Sequence, residues 1–214
     1  MKKCAIFAGG DVPERNTEWL LKMLEETDLV ICADCGYNHA KRLGIVPNII
    51  VGDFDSYTDE LPSGIEILQS VPDKDDTDTL MAVKHAIELG YMNIDLYGGL
   101  GGSRFEHSFA NIQTMIYAYQ QGCTLNMYGA SDLMIQGADD GEVVYRNRGN
   151  GVYMSVFALS ESVGIDYLRG VKYPLEDYCM VQSFPIGVSN EIEGDEAVLR
   201  IKDGLALVIL TPKF

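Results

Sequence analysis

Up to about residue 130 the chain alternates short apolar runs with helix-patterned segments, and beyond that point the alternation stops. Apolar runs at Cys4–Ala8, Leu29–Ala33, Ile49–Val51, Ile65–Leu68, Ile94–Tyr97 and Thr124–Tyr128 predict strands. Between them, Thr17–Glu26, Asn38–Leu43, Asp78–Leu89 and Ser108–Gln121 carry helical patterning, with Leu80, Val83 and Ile87 on one face of the third. Strands that alternate with helices predict an α/β layer: a mostly parallel sheet covered on both faces, with ligands beyond the carboxyl ends of its strands.

The remainder reads differently. Glu142–Tyr145, Tyr153–Ala158, Tyr178–Ser183, Ala197–Ile201 and Leu205–Leu210 are short strands separated by turns, and Asp203-Gly204 between the last two predicts a hairpin. Few helical periods occur there, so an antiparallel β-sandwich or small barrel is expected. Gly137-Ala-Asp-Asp-Gly141 is loop-like and puts the boundary near 131 to 141, giving domains of 1–132 and 140–214.

With 214 residues, 47% of them hydrophobic, the chain can build a sizeable core. A formal net charge of −16 excludes a basic nucleic-acid groove and favours a cationic small substrate. Five scattered cysteines and a start with too short an apolar run for a signal peptide predict a reduced, cytoplasmic protein. No apolar window reaches the ~18 residues of a membrane span. Cys32-Ala-Asp-Cys35 lacks the second ligand pair that zinc requires, so its thiols are expected to be inert.

Six aspartates crowd into two segments, Asn48-Ile-Ile-Val-Gly-Asp-Phe-Asp-Ser56 and Asp73-Lys-Asp-Asp-Thr-Asp78. Carboxylates at this density repel one another, and a fold that gathers them generally holds a divalent cation, which points in turn to phosphates. Asp53 and Asp55 leave a strand with the i, i+2 spacing that aims both to one side. In the second segment Asp76 or Thr77 can cap the following helix, which explains one or two acids but not four. Lys74 offers partial neutralisation or a phosphate contact.

Gly98-Gly-Leu-Gly-Gly102 follows a strand and leads through Ser103-Arg-Phe-Glu-His107 into a helix, an order that lets backbone N–H groups approach a phosphate. It is neither a P-loop nor a G-x-G-x-x-G fingerprint. Arg104 can clamp a phosphate bidentately, and His107 suits a base, an orienting group or a plain helix residue. Gly9-Gly10 and Ala33-Asp34-Cys35-Gly36 also stand at predicted strand ends, so several glycines and acids converge on one crevice.

Taken in order, Gly9-Gly10, Ala33-Asp34-x-Gly36, Gly52-Asp-Phe-Asp-Ser56, Asp73-Lys-Asp-x-Thr-Asp78, the glycines with Arg104-x-Glu-His107, Gly170-Val-Lys-Tyr-Pro-Leu175 and Gly187-Val-Ser-Asn-Glu191 resemble the thiamine pyrophosphokinase family over nearly the whole chain. The resemblance implies an N-terminal Rossmann-like ATP-binding domain, a C-terminal β-sandwich that binds thiamine, and a homodimer with active sites between subunits. It also implies a transferase reaction in which ATP and thiamine give thiamine diphosphate and AMP with Mg2+. Cys35 stands where the family usually has glycine, Glu106 replaces an aspartate, and Ser103 is an extra residue.

By the same resemblance Asp53, Asp55 and Asp78 are expected to hold Mg2+ and act in catalysis, with Asp73 and Asp75 as outer or alternative ligands. Asp34, Gly36, Lys74, Thr77, Arg104 and His107 are expected at the nucleotide, and Ser189, Asn190 and Glu106 at thiamine. Two other readings start from the residues alone. D-x-D after a strand also marks aspartyl phosphatases and metal-dependent glycosyltransferases, although in the phosphatases it follows the first strand rather than about the third. A non-catalytic nucleotide- or cation-binding module is the second.

Overall fold

The computed structural model describes residues 2–12, 17–53, 64–69, 75–147 and 151–213. The chain divides into two compact units, Met1–Ala130 and Ser131–Phe214.

The first unit contains β1 (Cys4–Phe7), α1 (Thr17–Leu24), β2 (Leu29–Ala33), α2 (Gly36–Leu43), β3 (Ile49–Gly52), β4 (Glu66–Gln69), α3 (Asp78–Glu88), β5 (Asn93–Tyr97), α4 (Phe105–Gln120) and β6 (Thr124–Tyr128). All pairings among these strands are parallel, in the order β6-β5-β1-β2-β3-β4. The chain therefore runs outward from β1 to β4 and returns to place β5 on the other side of β1. The order reverses between β1 and β5, which opens a crevice beyond their carboxyl ends. Ala5, Phe7, Cys32, Ile50 and Tyr97 share one buried cluster with Leu20 of α1 and Ala40 of α2. The alternate residues Ile6, Ile31, Ile49 and Leu96 are also buried, so both faces of the sheet are covered. Phe7, Tyr97 and Tyr128 stack in sequence, and Trp19 meets the Tyr128 ring edge-on.

The second unit is built from β7 (Asp132–Gly137), β8 (Glu142–Arg146), β9 (Val152–Ala158), β10 (Ser162–Arg169), β11 (Leu175–Val181), β12 (Asn190–Glu191), β13 (Glu196–Asp203) and β14 (Leu205–Pro212). Its strands form two antiparallel groups, β12-β9-β14-β7 and β11-β10-β13-β8. Met154, Val156 and Val208 from the first pack with Ile165, Met180 and Leu199 from the second in one core, the arrangement of a sandwich. Gln136 is the polar exception in this core. Its amide donates to Leu199 O at 3.0 Å and accepts from the Tyr145 hydroxyl at 2.9 Å, so its burial leaves no bond unmade.

The loop-like Gly137–Gly141 holds a short 3-10 turn, Ala138–Asp140, directly after β7. One expectation from sequence is corrected here. Asp203-Gly204 does not close a hairpin: β13 pairs with β10 and β8, whereas β14 pairs with β7 and β9. The Asp203 carboxylate instead accepts from Gly164 N–H at 3.2 Å, and Leu205 N–H donates to Ser160 Oγ, so the turn carries the chain from one group of strands to the other.

Candidate active site

A cavity of about 390 Å³ lies beyond the ends of β1, β2 and β5 and against the starts of α3 and α4. Ala8, Gly9 and Gly10 line it from β1, and Ala33, Asp34 and Cys35 from β2. Thr77, Asp78 and Thr79 contribute from the start of α3, and Gly98 to Gly99 with Gly101 to Arg104, His107 and Asn111 from β5 and α4. It occupies the switch point of the strand order, where the topology alone would put a ligand.

The β1 and β5 ends are zipped together. Ala8 N–H donates to Tyr97 O at 2.8 Å, Gly10 N–H to Gly98 O at 2.7 Å and Asp11 N–H to Leu100 O at 2.6 Å. Gly98 has φ 68°, and a Cβ on it would overlap the Ala8 carbonyl oxygen, so only glycine serves there. On the far side of the turn Gly101 N–H donates to Ser108 Oγ at 3.1 Å, and the buried Asn111 amide donates to Gly99 O at 2.8 Å. Neither Ser108 nor Asn111 was singled out from sequence. Their spacing from Arg104 along one helical stripe was the available signal.

At the β2 end Asp34 sits in the left-handed region with φ 47°, a conformation that costs a non-glycine residue about 1–2 kcal/mol and that aspartate tolerates better than most. Its N–H donates to Val51 O at 2.7 Å, keeping the ends of β2 and β3 in register, and its carbonyl accepts from Tyr37 N–H at the start of α2. Gly36 opens α2 so close to β1 that a Cβ would overlap the Phe7 carbonyl oxygen. Burial, then the neighbouring Asp34 and, more weakly, Asp78, push the Cys35 thiol above its ordinary range, which places the field of both carboxylates at this corner of the cavity. Cys32 is pushed up to about 12 by burial, and all five thiols are free.

Thr77 is the N-cap of α3, its Oγ1 accepting from Leu80 N–H at 3.2 Å, and Asp78 opens the helix. Asp76 is engaged by Lys84 at 2.6 Å, while Asp75 is exposed. Asp53 follows β3, half-buried, outside the cavity lining. Arg104 and Glu106 form an exposed ion pair of 2.7 Å, and the Arg104 hydrogen bond holds the Glu106 carboxyl below its usual range. Asp55, Asp73 and Lys74 lie outside the described residues. Among the described residues no three His, Cys, Asp or Glu side chains are grouped to hold a metal ion.

In the second unit Ser189 is left-handed at φ 57°, with its N–H on Ser155 Oγ at 2.9 Å. The Asn190 side chain clamps the backbone of Tyr173: Oδ1 accepts from Tyr173 N–H at 3.0 Å, and Nδ2 donates to Tyr173 O at 2.8 Å. Glu191 N–H takes the same Oδ1 at 2.9 Å. Glu191 itself is paired with Lys213 at 2.5 Å and Lys172 at 3.1 Å, and these two hydrogen bonds hold its carboxyl below the usual range.

A parallel α/β unit with a glycine-walled, acid-flanked cavity at its switch point, on one chain with an antiparallel sandwich, defines a class of two-part α/β enzyme. Two family models match: the thiamin pyrophosphokinase catalytic domain over residues 20–127, and the thiamin pyrophosphokinase vitamin B1 binding domain over residues 142–205. The chain belongs to the thiamin pyrophosphokinase family, transferases of diphosphate groups. It is 28% identical to a thiamine pyrophosphokinase of Bacillus subtilis strain 168 over 216 residues, covering 98% of each chain. The crystal structure of a Bacillus subtilis thiamine pyrophosphokinase matches with a TM-score of 0.86 at 25% identity, covering 100% of both chains. A thiamin pyrophosphokinase from Candida albicans shares the fold at 16% identity, with a TM-score of 0.81 over 99% of this chain and 89% of that one.

Proposed function

We propose that this protein transfers the pyrophosphoryl group of ATP to the hydroxyl of thiamine, giving thiamine diphosphate and AMP, in an Mg2+-dependent reaction. The observation that carries the reading is the cavity at the switch point, where two zipped glycine turns and the starts of α3 and α4 surround a space that glycine backbone walls on one side and Arg104 and His107 line on another. A triphosphate needs such close backbone approach.

Thiamine's hydroxyl oxygen attacks the β-phosphorus, the bond from that phosphorus to the oxygen bridging to the α-phosphate breaks, and AMP leaves. A carboxylate of the acidic segments accepts the hydroxyl proton. Asp34, Gly36 and Thr77 position the nucleotide together with Lys74, and Arg104 and His107 at the start of α4 meet the phosphates. Ser189, Asn190 and Glu106 are assigned to thiamine, with Asn190 acting at least in part through the Tyr173 backbone that it holds.

Mg2+ suits the donor set. It commonly takes one or two carboxylates and completes its shell with phosphate oxygens and water, so Asp78 in the cavity wall and Asp53 at the end of β3 would hold it together with the substrate's phosphates. Asp55 shares that role, and Asp73 and Asp75 serve as outer ligands. When bound, the cation offsets the charge that builds on the phosphates.

Homodimerisation, with active sites between subunits, is part of the same proposal. Phe184, Ile186 and Val188 follow one another on the surface of the second unit, each more than half exposed, and Phe105 is 79% exposed beside Arg104. Exposed apolar side chains of this kind favour a partner surface. A cytoplasmic setting accords with the five free thiols. No helix among the described residues is long and apolar enough to cross a membrane.

The test is product analysis with ATP, MgCl2 and thiamine. AMP with thiamine diphosphate is expected. ADP with thiamine monophosphate would overturn the pyrophosphoryl assignment.

A further inference from the structure

We infer that His39, which lies outside the cavity lining, is a positioning residue for the nucleotide and acts through the Gly10 peptide. The inference rests on reading the cavity as the ATP site. His39 Nε2 lies 2.7 Å from Gly10 O. A carbonyl oxygen only accepts, so Nε2 is the protonated nitrogen. The N–H of the same glycine is spent on Gly98 O at 2.7 Å, so both backbone polar groups of Gly10 are pinned, one toward α2 and one toward the β5 turn.

The anchoring extends one helical turn. Arg42 Nη2 donates to Val12 O at 3.2 Å, and the i, i+3 spacing puts both donors on one stripe of α2. That helix is itself held tight to β1 by the Gly36 contact with the Phe7 carbonyl. A chain of fixed contacts therefore runs from the sheet through α2 to the turn at residues 10–12, and on to the turn at 98–100.

Glycine turns have no side chains with which to hold their own shape. A Cβ on Gly10 would overlap the carbonyl oxygens of Gly98 and Leu100, so a stiffer residue cannot be substituted there. The turn depends on partners, and His39 supplies one from outside the pocket. A turn held in its binding shape spares ATP the cost of ordering it. That cost falls on nucleotide affinity and not on the chemical step or on thiamine.

The experiment compares wild type, His39→Leu and His39→Gln by kcat and by separate KM values for ATP and thiamine. His39→Leu should raise the ATP KM about tenfold, the worth of one hydrogen bond, while kcat and the thiamine KM stay within about twofold. His39→Gln should recover most of the loss, because its amide N–H reaches the same carbonyl. An unchanged ATP KM, an equal loss in kcat or in the thiamine KM, or a glutamine variant as impaired as leucine would each overturn the assignment. Should His39→Leu not fold, His39→Asn, whose amide is too short to carry an N–H to the position of Nε2, is judged on the same criteria. Failure of the wild type to turn over ATP and thiamine overturns the ATP-site reading instead, so the two failures are separable.

Discussion

Asp76 Oδ2 lies 2.6 Å from Lys84 Nζ, so one acid of the run ahead of α3 is neutralised by the helix that the run precedes. The hydrogen bond that Lys84 donates to Asp76 raises the lysine pKa. Asp78, two residues on, lines the cavity instead. Asp76→Asn should leave steady-state turnover within about twofold and lower Tm only slightly, as the loss of a half-buried surface pair does. Asp78→Asn should lower kcat at least about a hundredfold. Equal effects from the two would refute this division of roles.

Thr77 combines a structural duty with its place in the cavity wall. Thr77→Ala removes the α3 cap and should cost about 1 kcal/mol, a fall of about 2–4 °C in Tm for a chain of this size. Thr77→Ser keeps the hydroxyl and should keep both Tm and the ATP KM. Calorimetry beside ATP titration checks both.

Lys3, just ahead of β1, and Asp95 of β5 pair at 2.8 Å, with side chains 12% and 3% exposed. Burial raises the Asp95 carboxyl above its usual range despite the opposing pull of Lys3. Lys3→Met would leave a buried carboxylate without its cation and should cost about 3 kcal/mol. Asp95→Asn should cost less, because the lysine left behind can reach solvent along its flexible stem. Urea denaturation of the two variants gives the comparison.

Glu191, between Lys213 and Lys172, has a carboxyl pKa below its unfolded value. A depressed acid contributes stability that is complete above the unfolded pKa, about 4.3, and is lost as pH falls through the lower folded one. Wild-type Tm should therefore drop more steeply below about pH 4.5 than that of Glu191→Gln. Parallel curves over pH 6 to about 3 would show that the lysines do not stabilise the charged form.

Much of the first unit was legible because each strand is an apolar run bounded by turn residues; β2 and β6 fall where the sequence placed them. The return of β5 beside β1 was not legible, since local pattern says nothing of strand order. β10 escaped notice because its register slips around Gly164, Ile165 and Tyr167, which breaks the two-residue alternation. β7 carries Gln136 into the core, where sequence expects an apolar residue. In the site, the glycines and acids of the cavity wall announced themselves at strand ends. His39, Ser108 and Asn111 did not, because each works on a backbone carbonyl or amide that no sequence pattern names.

The rungs that tie residues 8–11 to residues 97–100 end at Asp11 N–H and Leu100 O. Within that ladder neither turn can change length alone without breaking the other's bonds. Ser103, which the family resemblance implies is an extra residue, stands beyond the last rung, just ahead of α4. The ladder thus separates a segment whose length is locked from one free to drift between relatives, and sequence variation in the site should gather on the Ser103 side.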